Sequence, residues 1–114
     1  MTDLDRTFGA LADPTRRAVI DLLRKKPHRA GELAERLDTS APAMSRHLKI
    51  LRQSGLVEEQ HAGDDARVRT YRLKPAPFKS LRRWLDDVET FWASELDAFK
   101  KHAEATRRKA GPRD

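Results

Sequence analysis

Residues 30–55 read AGELAERLDTSAPAMSRHLKILRQSG, and this stretch decides the fold. Ala30, Leu33, Ala34 and Leu37 recur at i, i+3, i+4 and i+7, the spacing of one face of a short helix. Asp38-Thr39-Ser40 follows as a polar break rich in capping side chains. Thr39 or Ser40 can cap the next helix, and Pro42 is tolerated in its first turn. Gly55 is the residue type that best accepts the left-handed position at its end. Two helices are therefore predicted, over 30–37 and 41–54, with three polar residues between them. That is the plan of a helix-turn-helix, whose second helix enters the major groove of DNA.

Placing the second helix at about 100° per residue separates its faces. Met44, Leu48 and Leu51 cluster on one side, with His47 at the margin. Pro42, Arg46, Lys49 and Gln53 fall opposite, flanked by Ser45. A forked donor, a point cation, an amide and a hydroxyl are the groups that read base edges and hold phosphates. A solvated helix face carries similar residues, so the flanking sequence has to decide between the two readings.

Downstream, Leu56–His61 and Arg67–Leu73 predict two short strands around the polar turn 62–66, with Pro75 and Pro77 closing the hairpin. A hairpin directly after a helix-turn-helix makes a winged helix. Arg67 and Arg69, just past the turn, can reach a minor groove or its flanking phosphates. Strand alternation places them on the same face as Tyr71 and Leu73, which are expected to point to the core.

Upstream, Leu4, Phe8 and Leu11 form a short apolar stripe. Asp13-Pro14 reads as an N-cap followed by proline at the first helical position. That helix carries Val19, Ile20, Leu22 and Leu23 and is expected to end near Lys25, because Pro27 disfavours helical geometry before it. From Phe78, the apolar positions Leu81, Leu85, Val88, Trp92, Leu96, Phe99 and Ala103 follow at steps of three or four, close to a coiled-coil seam. The expected architecture is mainly α with a small β-hairpin, in the order ααααββα, over residues 1–103. Residues 104–114 are expected to form a basic, flexible tail.

Composition narrows the function classes. At 114 residues the chain is one domain long, and 24 Lys+Arg against 18 Asp+Glu give a net charge of +6. The isoelectric point is near 10.1, which favours a polyanionic partner. Arg67 to Arg83 holds seven basic residues and no acid, whereas Trp84 to Phe99 holds five acids and no Lys or Arg. Such blocks imply separate surfaces. No apolar run approaches the ~20 residues of a membrane span, and Met1-Thr-Asp-Leu-Asp5 lacks the regions of a secretory signal. A cytoplasmic location without membrane contact is expected. Zero cysteines exclude disulfides, thiolate metal sites and a cysteine nucleophile.

The chain resembles the ArsR/SmtB family of bacterial winged-helix repressors over residues 4–103. The resemblance rests on Phe8-Gly-Ala-Leu-Ala-Asp-Pro-Thr-Arg-Arg17, Gly31-Glu-Leu-Ala-Glu-Arg-Leu37 and Ser40-Ala-Pro-Ala-Met-Ser-Arg-His-Leu-Lys49, with Gly55-Leu-Val57 and Tyr71-Arg-Leu73. It implies a homodimer built on the first and last helices, presenting two recognition helices to a roughly palindromic operator, and a repressor that controls its own operon. By matching positions, Ser40, Ser45, Arg46, His47 and Lys49 would contact DNA. Leu4, Phe8, Leu11, Val88, Phe91, Trp92, Leu96 and Phe99 would form the dimer interface.

The departures bear on the signal sensed. Where many relatives carry a metal-binding Cys-x-Cys, this chain has Arg29 and Gly31. The acidic last helix has a single histidine, His102, and no register for a metal set. No metal and no cofactor are expected, and the effector is not readable.

Other classes fit less well. Ser45 and His47 lie two apart on a helix and point about 200° from each other, so they cannot act as nucleophile and base. Asp86 and Asp87, adjacent on a helix, cannot converge on one substrate atom. Neither an enzyme nor an RNA binder is expected, since Tyr71 is the only aromatic in the hairpin. The alternative is a helical protein-interaction adaptor using the aromatic last helix.

Overall fold

The computed structural model describes residues 1–61 and 68–110. The elements are α1 (Asp3–Leu11), α2 (Pro14–Leu23), α3 (Ala30–Arg36), α4 (Ala41–Gln53), β1 (Val57–His61), β2 (Arg69–Leu73) and α5 (Pro75–Ala110). This is the expected ααααββα order. The chain forms two compact units, residues 1–81 and 82–114.

The first unit holds the helix-turn-helix and the wing. Its core is Ala10, Val19, Leu23, Leu33, Ala34, Met44, Leu48, Leu51, Leu56 and Val57, with Leu11, Ile20, Leu22, Tyr71, Leu73 and Phe78 packed around it. Every element from α1 to β1 contributes to it, which is how a chain with 38% apolar residues still closes a core.

Helix boundaries follow local chemistry. Thr2 and Asp5 form a reciprocal capping box at α1. Asp13 caps α2, its carboxylate accepting the Arg16 amide at 2.9 Å, with Pro14 in the first turn. The end of α1 has no basic residue of its own, and α2 supplies the cations instead. Arg16 donates to the carbonyls of Ala10 (2.7 Å) and Gly9 (3.2 Å), and Arg17 to that of Leu11 (2.7 Å). Carbonyls orphaned at a helix C-terminus are thereby satisfied by charged donors. The Asp-Pro-Thr-Arg-Arg run is thus a joint between two helices, a role that periodicity does not reveal.

Between α3 and α4, Asp38 takes a left-handed φ of 50°, which Asp tolerates better than most residues. After α4, Gly55 takes φ 76° as expected, the conformation glycine adopts at least cost.

The hairpin is antiparallel, with Val57 opposite Leu73, Glu59 opposite Tyr71 and His61 opposite Arg69. It starts one residue later than expected on the first strand, because the Leu56 N–H donates to the Leu51 carbonyl (3.0 Å) at the end of α4. The second strand begins at Arg69. Arg67 and the turn 62–66 lie outside the described residues. A further backbone bridge ties the wing to the loop before α3: His28 N–H donates to the Tyr71 carbonyl (3.2 Å) and Tyr71 N–H to that of His28 (2.8 Å).

Pro75 and Pro77 do not close the hairpin as expected; they stand in the first turn of α5. Proline's fixed φ suits a helix start, where its missing N–H has no partner to lose. The helix continues past Ala103 to Ala110. In the second unit Leu85 is half exposed. Val88 is half-buried, whereas Phe91, Trp92, Leu96 and Phe99 are 57%, 58%, 63% and 71% exposed. Phe91 and Trp92 meet edge to face with centroids 5.8 Å apart.

Candidate nucleic-acid interface

Helix α4 is fixed from one side. Met44, Leu48 and Leu51 are buried, so rotation about the helix axis would pull three large side chains from the core. The opposite side is therefore held outward. Pro42, Ser45, Arg46, Lys49 and Gln53 are all exposed there, as the 100° spacing predicts. Arg46 and Lys49 enter no hydrogen bond or ion pair among the described residues. Their charges remain available to a polyanion. Ser40, also exposed, caps the helix by accepting the Ala43 amide at 3.2 Å, which leaves its hydroxyl hydrogen to donate elsewhere. Gln53 ends the helix and lines a shallow cleft with Lys74 and Pro77, apart from the leading turns.

His47 is placed differently from its neighbours. Its side chain is only 22% exposed and its Nδ1 lies 3.8 Å from the Asp13 carboxylate, too far for a hydrogen bond. Nδ1 is buried without a hydrogen-bond partner, a condition that costs about 1–3 kcal/mol for a typical polar group. His47 therefore faces α2 as much as solvent. The Asp13 carboxyl is held below its usual range, first by the Arg16 amide and, with burial opposing, also by His47.

The wing contributes arginines that are already engaged. Glu59 accepts from Arg52 of α4 at 2.9 Å and from Arg69 at 3.3 Å. Arg72 pairs with Glu58 on the other face. Arg69 does share a face with Tyr71 and Leu73, but at the outer end of the strand, where it is exposed.

No spacing or motif singles out His28, which is buried and bonded through Nδ1 to Glu32 at 3.1 Å. That bond is the main reason the Glu32 carboxyl lies below its ordinary value. Of the residues expected at a dimer interface, Leu11 packs against the core of its own chain, Leu4 is half-buried and Phe8 is 41% exposed. The described residues contain no group of three metal-ligating side chains, and no helix among them is long and apolar enough to cross a membrane.

Known proteins share this plan. Residues 11–60 match a family described as a helix-turn-helix domain. The HTH-type transcriptional regulator Rv2034 of Mycobacterium tuberculosis is 41% identical over 95 residues, 83% of each chain. The transcriptional repressor SdpR of Bacillus subtilis is 38% identical over 60 residues, 53% of this chain and 67% of that one. Among solved structures, an ArsR-like transcriptional regulator from Rhodococcus sp. RHA1 superposes with a TM-score of 0.75 at 33% identity, covering 92% of this chain and 98% of that one.

Proposed function

Because this chain belongs to the ArsR family of winged helix-turn-helix transcriptional regulators, we propose that it represses transcription as a homodimer on a roughly palindromic operator, its own promoter included. The observation that carries this reading is the exposed cationic pair Arg46 and Lys49, held outward by the buried Met44, Leu48 and Leu51. Arg46 is the candidate for base reading and Lys49 for phosphate, with Ser40, Pro42 and Ser45 close against the backbone. Arg69 adds a weaker contact, since Glu59 already holds it.

A second copy accounts for the α5 aromatics. Burying a Phe or Trp side chain covers about 150–250 Å². Leaving Phe91, Trp92, Leu96 and Phe99 as exposed as they are in one chain forfeits that gain. A partner's α5 and α1 would cover them, and occlusion of promoter DNA by the dimer would block polymerase.

Two measurements test this. Fluorescence anisotropy with a duplex from the chain's own promoter should show binding that random duplex of equal length does not match, weakening by about 0.9 log units per log unit of salt for each phosphate neutralised. Sedimentation at micromolar concentration should show a dimer. Equal affinity for both duplexes overturns operator recognition, and a wild-type monomer overturns the dimer.

A further inference from the structure

The least explained group near the interface is the His47 imidazole. It lies on α4 between Arg46 and Leu48, one neighbour facing solvent and the other the core. Its Nδ1 is sealed from solvent and lacks a hydrogen-bond partner, while the side chain as a whole is 22% exposed. The carboxylate oxygen facing Nδ1 at 3.8 Å is Asp13 Oδ2, the same atom that caps α2 through the Arg16 amide. Asp13 stays ionised across the physiological range, so a negative charge always faces the buried edge of the ring.

The charge of Arg16 also acts on Asp13. Helix α4 packs against α2, α3 and β1. From α2, Arg16 gives its backbone amide to Asp13 and its guanidinium to the carbonyls of α1, Arg17 donates to the Leu11 carbonyl, and Asp21 pairs with Arg24. From α3, Glu32 is held by His28, while Glu35 and Arg36 are exposed. From β1, Glu58 and Glu59 are held by arginines, and His61 is exposed. Only Asp13 is placed as an ion-pair partner for His47 among the described residues.

We infer that His47 is a proton-linked phosphate clamp, its Nδ1–H directed at Asp13 and its Nε2–H donated to a DNA phosphate, so that binding DNA takes up a proton. This rests on α4 being the recognition helix. A neutral imidazole that donates Nε2–H to a phosphate leaves a bare Nδ1 turned toward the Asp13 carboxylate, whereas the imidazolium presents an N–H on both edges of the ring. Two anions on opposite edges of one ring favour the charged form, and by reciprocity the charged form binds the phosphate more tightly. Asp13 acts here as a positioning residue, which orients the ring without touching DNA.

The test is the pH profile of binding to the promoter duplex at constant ionic strength, from about pH 8.5 to pH 6, spanning the usual histidine range. Wild-type affinity should rise several-fold as pH falls, limited to about tenfold per pH unit for each histidine. His47→Gln should flatten the profile and Asp13→Asn should reduce its slope, whereas Lys49→Gln should weaken binding and keep the slope. Since Asp13 also caps α2, the same claim is read in the unaltered protein by imidazole ¹⁵N spectra. Both His47 nitrogens should carry protons in the complex at neutral pH.

A flat wild-type profile, a slope retained in His47→Gln, or a neutral His47 in the complex overturns the clamp while leaving operator binding intact. Failure to bind the duplex at any pH overturns the operator reading and the clamp with it.

Discussion

Glu59 on β1 accepts a 2.9 Å hydrogen bond from Arg52 on α4, joining the last turn of the recognition helix to the root of the wing, and it also holds Arg69 at 3.3 Å. One carboxylate thus restrains two arginines beside the exposed face of α4. Glu59→Gln should release both. Duplex binding should tighten without regard to sequence, and its salt dependence should steepen by up to about 0.9 for each arginine that finds a phosphate. Anisotropy titrations at three salt concentrations check this; an unchanged slope would mean that the arginines are structural only.

Among the described residues Arg46 has no such restraint. Arg46→Ala should cost about 1–3 kcal/mol on the promoter duplex if the guanidinium pairs with a guanine, and much less on random duplex. An equal loss on both sequences would reassign Arg46 to phosphate.

Trp92, 58% exposed on α5, is the place to interrupt pairing of two chains. Trp92→Glu should convert the proposed dimer to monomer in sedimentation at micromolar concentration, while the far-ultraviolet dichroism of the folded monomer stays near that of the wild type. Promoter affinity should fall with it, because each half-site would then be bound alone.

The joint between α1 and α2 predicts a stability effect far from DNA. Arg16→Ala removes the donors to Ala10 and Gly9 and should cost about 1–3 kcal/mol in urea unfolding, as expected for bonds made by a charged group. Arg16→Lys should recover little of it, since an ammonium cannot reproduce the planar fork.

Acid should weaken the fold in a defined window. Asp5, Asp13 and Glu32 all have carboxyl values below the ordinary range, through bonds with Thr2, the Arg16 amide and His28 respectively. A group whose value is depressed by folding stabilises fully above its unfolded value and loses that contribution as pH falls through the folded one. Urea midpoints should therefore change little from carboxylate titration between pH 7 and pH 5, then drop below about pH 4. Glu32→Gln should make that drop shallower.

Much of this molecule is legible in the order of its residues, for particular reasons. The faces of α4 follow from Met44, Leu48 and Leu51, because helical spacing and burial are linked by geometry alone. Asp13-Pro14 and Gly55 mark their boundaries because the φ demands there suit few other residues. What could not be read depends on partners distant in the chain. Nothing local to His47 says that Asp13, 34 positions earlier, will face it. Arg69 reads as a free cation until Glu59 is brought opposite Tyr71 by the hairpin register. Pro75 and Pro77 are ambiguous by nature, since proline serves both turns and helix starts.

The bridge between His28 and Tyr71 has a consequence for how such a protein can diversify. The wing is anchored to the body of the first unit by main-chain groups, which every residue except proline can supply. Side chains farther out along the hairpin can then be exchanged without loosening its attachment. Exposed positions such as His61 and Arg69 can change while the attachment at Tyr71 keeps its address.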